Sequence, residues 1–200
     1  MAESLLLNPV LRRLANALAT RQAVPADTAG DPARAAVAIA LRPASDGDLE
    51  LLLIERAERE GDPWSRQIAL PGGRWSPNDA SLVGTAFRET WEETGLDLAT
   101  HARLLGTLDE LRPRTPSLPP IIVTPVVAAL PVTAGELVLS DEVADAFWVS
   151  LRRLADPDTS RESEVQARGE TWRVPSFVIG SHVIWGMTER MLRQLLTLAQ

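Results

Sequence analysis

The chain contains no cysteine in its 200 residues, which excludes a disulfide framework and thiolate chemistry. It also lacks a basic field. Twenty Lys and Arg against 27 Asp and Glu leave a formal net charge of -7 and a pI near 4.9, so nothing in the overall charge favours a nucleic-acid backbone as partner. No apolar run reaches the roughly 20 residues that span a bilayer. The N-terminal segment is short, interrupted by polar residues and without a signal-peptide cleavage pattern, so a cytoplasmic protein with no membrane partner is expected. There are no internal repeats. What is present is 45% apolar content, sufficient for one substantial core.

The most informative stretch is LPGGRWSPNDASLVGTAFRETWEETGL, Leu70 to Leu96. A Pro-Gly-Gly turn and a polar loop (Pro77, Asn78, Asp79) lead into a helix expected from about Ser81 until Gly95 caps it. At 100° per residue Leu82, Ala86, Thr90, Val83, Phe87 and Trp91 form one continuous face, expected to pack on a core. Glu89, Glu92 and Glu93 stand at i, i+3 and i+4, so three carboxylates gather near one surface. Glu93 falls at the edge of the buried face, where an unpaired carboxylate is costly. Like charges repel there and also oppose the helix macrodipole. Arg88 reaches Glu92, but one guanidinium does not neutralise three carboxylates, whereas a hard divalent cation on oxygen ligands does. Mg2+ or Mn2+ is the expected cofactor; the alternative is a solvated acidic face.

These residues resemble the Nudix hydrolase family, whose pattern is G-x5-E-x7-R-E-U-x-E-E-x-G-U with U apolar. Gly73, Arg88, Glu89, Glu92, Glu93, Gly95 and Leu96 occupy their places. Asp79 replaces the first Glu, with eight residues instead of seven between it and Arg88, and Thr90 replaces an apolar residue. Asp at the longer spacing is similar to the coenzyme A pyrophosphatase branch. So are Arg56 after the second strand, Gln67 with Leu70-Pro71-Gly72-Gly73, the V-T-P-V-V run at Val123, Glu142-Val143 before Trp148-Val149, and H-V-I-W-G-M-T from His182. Trp64 and Arg66 stand where that branch has His and Gly.

The resemblance implies an α/β/α sandwich with a mixed β-sheet between helices, and hydrolysis of a nucleoside diphosphate linked to another moiety. Coenzyme A or acyl-coenzyme A is the implied substrate, with 3′,5′-ADP and 4′-phosphopantetheine as products. Other nucleotides (ADP-ribose, dinucleotides, nucleoside triphosphates) and a non-catalytic nucleotide-binding module are the alternatives. It further implies that Glu89, Glu92, Glu93 and the Gly73 carbonyl hold the metal. Arg88 would orient the glutamates, Asp79 would cap the helix or support these contacts, and Glu93, Glu92 or Glu142 would be the general base. For a 3′-phosphate the best-placed cations are Arg56, Arg66 and Arg74, which bracket the Pro-Gly-Gly turn.

Around this stretch, Leu5 to Leu18 reads as an amphipathic helix and Arg21 to Pro32 as a linker, so residues 1–32 form an N-terminal appendage and 33–200 the catalytic domain. Ala35–Leu41 and Leu49–Ile54 read as a hairpin, the first strand central. Arg103–Leu111 is an expected strand, 112–120 a stiff Pro-rich loop, and Ile121–Leu130 a strand whose Pro125 points to an edge or a bulge. A turn from Ser140, a strand over Thr171–Ile179 and a closing helix with Met187, Met191, Leu192 and Leu195 inward complete the reading.

Overall fold

The computed structural model describes residues 5, 7–60, 64–113, 120–132, 135–167 and 169–200; six residues of the Pro-rich 112–120 segment lie outside them. Helix α1 (Pro9–Thr20) is capped by Asn8, whose side chain accepts from Val10 and Leu11 N–H. Strands β1 (Ala33–Pro43) and β2 (Leu49–Arg56) form the expected hairpin, but they pair only beside the turn, over Leu41–Pro43 and Leu49–Leu51. Beyond that the strands part. The short β3 (Ile68–Ala69) takes β2 and β4 (Gly72–Arg74) takes β1, so the segment through the Pro-Gly-Gly turn fills the wedge between them.

Strand β1 also runs parallel to β6 (Ile121–Ala129), whose other side pairs antiparallel with β5 (Arg103–Thr107). Strand β7 (Val143–Ser150) pairs antiparallel with β2 and completes a mixed seven-stranded sheet. Pro125 therefore lies inside the sheet, opposite Val37, not on an edge. Its carbonyl still accepts from Leu108 N–H, and the register shift falls on β5, between Leu104 and Gly106.

Alternation along β1 divides the core. Val37, Ile39 and Leu41 face one side, with α1 and the C-terminal helix α5 (Gly186–Ala199). Ala36, Ala38 and Ala40 face the other, where three methyl-sized side chains let helix α2 (Leu82–Thr94) lie close to the sheet. A short helix α3 (Leu98–His101) follows α2. Leu11 and Leu14 of α1 are fully buried, and the 21–32 segment is bound along its length: Asp109 accepts from Arg21 and Val24 N–H, Glu110 from Ala26 N–H, and Arg112 donates to the Asp27 and Ala29 carbonyls.

After β7 come α4 (Leu151–Ala155) and a three-stranded antiparallel sheet, β8 (Ser160–Ala167), β9 (Glu170–Ile179) and β10 (His182–Trp185). In α5, Met191, Leu192 and Leu195 are buried and Met187 packs at the core margin. His182 stacks on Phe147, ring centroids 4.1 Å apart. No helix among the described residues is long and apolar enough to cross a membrane.

Candidate active site

Helix α2 starts where Ser81 Oγ accepts from Gly84 N–H and ends where Gly95, at φ +69°, donates its N–H to Trp91 O. Its buried line is Ala86, Thr90 and Glu93, with Thr85 and Thr94 beside it. Trp91, expected inward, is 59% exposed. The sheet offers a narrow alanine floor, and a residue 100° around from Thr90 and 200° from Glu93 clears its edge.

The last two carbonyls of α2 are not left to water. Val138 N–H donates to Thr94 O (2.8 Å) and Ser140 N–H to Glu93 O (3.0 Å). These bonds bring the segment before β7 onto the helix end, and Glu142 follows two residues later. Its carbonyl accepts from Ala57 N–H (2.8 Å), just past β2.

Glu93 is 4% exposed and its Oε2 accepts from Gly72 N–H at 2.9 Å. Burial pushes its carboxyl up to about 7; the Gly72 bond and the Arg56 charge oppose that, and Glu89 and Glu142 add to it. Both neighbours and Arg56 thus lie within electrostatic reach of Glu93. Burial likewise raises Glu89 above the usual carboxylate range, against the pull of Arg88. The turn is built for this packing. A Cβ on Gly73 would lie closer than 3.0 Å to the Glu89 carboxylate, and one on Gly72, at φ +150°, equally close to the β1 backbone at Ala36 and Val37.

Arg88 organises the rest. Its Nε and Nη2 donate to the two Asp79 oxygens (2.8 and 3.0 Å), Nη1 to Glu92 (2.8 Å), and Nη2 also meets Glu89 (2.9 Å) and the Arg74 carbonyl (3.3 Å). Asp79, its carboxylate 5% exposed, further accepts from Ser76 N–H and Thr85 Oγ1. The Arg88 bonds, first, and these two together hold its carboxyl well below the ordinary range. Asp79 is thus the anchor of Arg88, and Ser81 is the helix cap.

Gly73, Asp79, Arg88, Glu89, Glu92 and Glu93 lie on the β4 side of α2, with Arg56 and Glu142 within electrostatic reach of Glu93. Arg66 does not join them: 68% exposed, it faces Glu58 at 3.5 Å. Arg74 lends its carbonyl to Arg88, and its side chain is exposed. A residue that sequence reasoning missed is Arg59, whose Nη1 pairs with Glu142 Oε1 at 3.1 Å. Its signal was weak: a second arginine three positions after Arg56 in ERAER.

Among the described residues, no three acidic or imidazole side chains converge on one point, because Glu89 and Glu92 are turned to Arg88. The donor set nevertheless fits a hard divalent cation in kind: three carboxylates on one helix beside a turn whose Gly73 leaves space for the Glu89 carboxylate.

A model of the NUDIX domain matches residues 32–168. The Uncharacterized Nudix hydrolase NudL of Photorhabdus laumondii subsp. laumondii is 32% identical over 144 residues, 72% of this chain and 74% of that protein. An uncharacterized protein of Schizosaccharomyces pombe is 36% identical over 120 residues, 58% of this chain but only 36% of its own length. Among solved structures, a MutT/nudix family protein from Enterococcus faecalis matches with a TM-score of 0.55 at 20% identity, covering 97% of this chain and 72% of that one. A C. elegans Ap4A hydrolase binary complex matches at a TM-score of 0.50 and 21% identity, covering 60% and 81%. At such identities these two show the fold alone, an α/β arrangement of mixed sheet and helices. With the family model spanning well over half of the sequence, the chain belongs to the Nudix family of pyrophosphohydrolases.

Proposed function

We propose that this chain is a metal-dependent hydrolase that cleaves the diphosphate of a nucleoside diphosphate linked to another moiety, with coenzyme A or acyl-coenzyme A as substrate. The observation that carries the chemistry is the buried Glu93 carboxylate, held by Gly72 N–H and flanked by Glu89, Glu142 and Arg56. A buried carboxylate with further carboxylates near it is kept at a cost, and a divalent cation relieves it. Glu89, Glu92, Glu93 and the Gly73 carbonyl would hold Mg2+ or Mn2+, which screens the polyanionic diphosphate and activates water when bound. Arg88, fixed by Asp79, sets the planes of Glu89 and Glu92. Glu142, from the loop, is the candidate proton acceptor, with Glu93 and Glu92 as alternatives.

The coenzyme A assignment rests on the sequence features shared with that branch. Arg66, which departs from the Gly of that branch, sits at φ +59°, a left-handed backbone that glycine adopts without strain. The Trp64 and Arg66 departures from that branch support the second reading, another nucleotide as substrate. Cleavage of coenzyme A with Mg2+, compared with ADP-ribose, NADH, diadenosine polyphosphates and dNTPs, separates the two. Release of 3′,5′-ADP and 4′-phosphopantetheine is the expected result. A folded protein that binds nucleotides and cleaves none would be the non-catalytic module.

A further inference from the structure

We infer that Arg59 is a positioning residue of the active site, acting through Glu142. The inference rests on the proposed hydrolysis and adds to it what aims the loop carboxylate. The two side chains come from segments 83 residues apart, and the backbone of each is tied down by hydrogen bonds, one of which joins the two segments. On one side, the loop after β2 is closed by Arg56 N–H to Gln67 O and Arg66 N–H to Arg56 O, both 3.1 Å. Within it, Ser65 Oγ accepts from Arg59 N–H (3.0 Å) and donates to Arg59 O (2.8 Å), a reciprocal clamp on this one residue. On the other side, Ser140 N–H on Glu93 O and Ala57 N–H on Glu142 O fix the chain around Glu142.

The guanidinium and the carboxylate meet at 3.1 Å, with side chains 48% and 52% exposed. An ion pair so open to water contributes little to folding. It does bias the rotamers of a solvated glutamate within electrostatic reach of Glu93, and a group in the reacting geometry gains rate from that restriction. Two other arginines of the site region have carboxylate partners elsewhere: Arg88 is bound by Asp79, Glu89 and Glu92, and Arg66 faces Glu58.

The test is a double-mutant cycle with Arg59→Gln, Glu142→Gln and both together, plus Arg59→Lys, on the full chain with Mg2+ and the panel substrate that the wild type cleaves best. Arg59→Gln should lower kcat about two- to fivefold with KM little changed. Arg59→Lys should restore part of the loss. The double variant should be no slower than Glu142→Gln alone, and Tm should move by at most about 3 °C. Three results overturn the role of Arg59 alone: additive losses in the double variant, a rise in KM with kcat kept, or wild-type rates for Glu142→Gln. A wild type that cleaves no member of the panel overturns the hydrolase reading, and the role of Arg59 with it.

Discussion

Replacing Glu93 by Gln should flatten the pH dependence of stability in the metal-free protein. The Glu93 carboxyl titrates at about 7 in the folded chain against 4.5 as its unperturbed value, chiefly because it is buried. The native state therefore holds its proton to a higher pH than the unfolded state does. Stability from this group is complete below pH 4.5, falls as pH rises through about 7, and is lost above that. The interval corresponds to about 3 kcal/mol, and roughly 6–12 °C in Tm for a chain of this length. Glu89 is shifted in the same direction by burial and adds to the slope. Asp79, shifted downward, acts only in the acid range and does not offset it. Urea denaturation in EDTA at pH 5, 6, 7 and 8 reads the effect. The wild type should weaken steadily, Glu93→Gln should lose most of the slope, and excess Mg2+ should flatten the wild-type curve by binding the ionised form. An unchanged slope in Glu93→Gln would refute the assignment of the buried proton to this residue.

Four further outcomes follow from particular contacts. Asp79→Asn removes the anchor of Arg88 (2.8 and 3.0 Å) and should cost about 1.5–3 kcal/mol in urea denaturation, with kcat lowered. Gly73→Ala places a methyl group against the Glu89 carboxylate and should reduce Mg2+ affinity ten- to a hundredfold, measured by calorimetry, while circular dichroism stays native. Arg66→Gly relieves a left-handed backbone at φ +59° and should raise Tm by about 2 °C, since the exposed Glu58 pair contributes little. Leu14→Ala should cost about 2–5 kcal/mol, because this side chain is fully buried between α1 and the rest of the core; a loss below 1 kcal/mol would make α1 a loosely held appendage.

The helix that carries the carboxylates was legible because its ends are local chemistry: Ser81 caps, Gly95 turns left-handed, and E-x-x-E-E fixes the spacing. The hairpin and the central position of β1 followed from an apolar run beside a turn. Trp91 was misplaced because a helical wheel does not encode the width of the surface beneath it, here set by Ala36, Ala38 and Ala40 of another strand. Strand β8 gave no signal, since over residues 160–166 it buries little beyond Val165 and its partner β9 supplies the pairing. The eight residues between Asp79 and Arg88 became intelligible only in three dimensions: they carry the chain through the Ser81 cap and the first turns of α2, which set the Asp79 carboxylate against the guanidinium. The Arg59–Glu142 pair bridges two loops distant in sequence, and composition cannot register such a meeting.

The central claim is tested most directly by assaying coenzyme A and 3′-dephospho-coenzyme A with the wild type and Glu93→Gln, with Mg2+ and in EDTA. The wild type should release 4′-phosphopantetheine only with the metal, Glu93→Gln should be slower by orders of magnitude while folded, and coenzyme A should show the higher kcat/KM by roughly ten- to a hundredfold. Equal kcat/KM on the two substrates would contradict the coenzyme A assignment, and metal-independent turnover or an active Glu93→Gln would contradict the site itself.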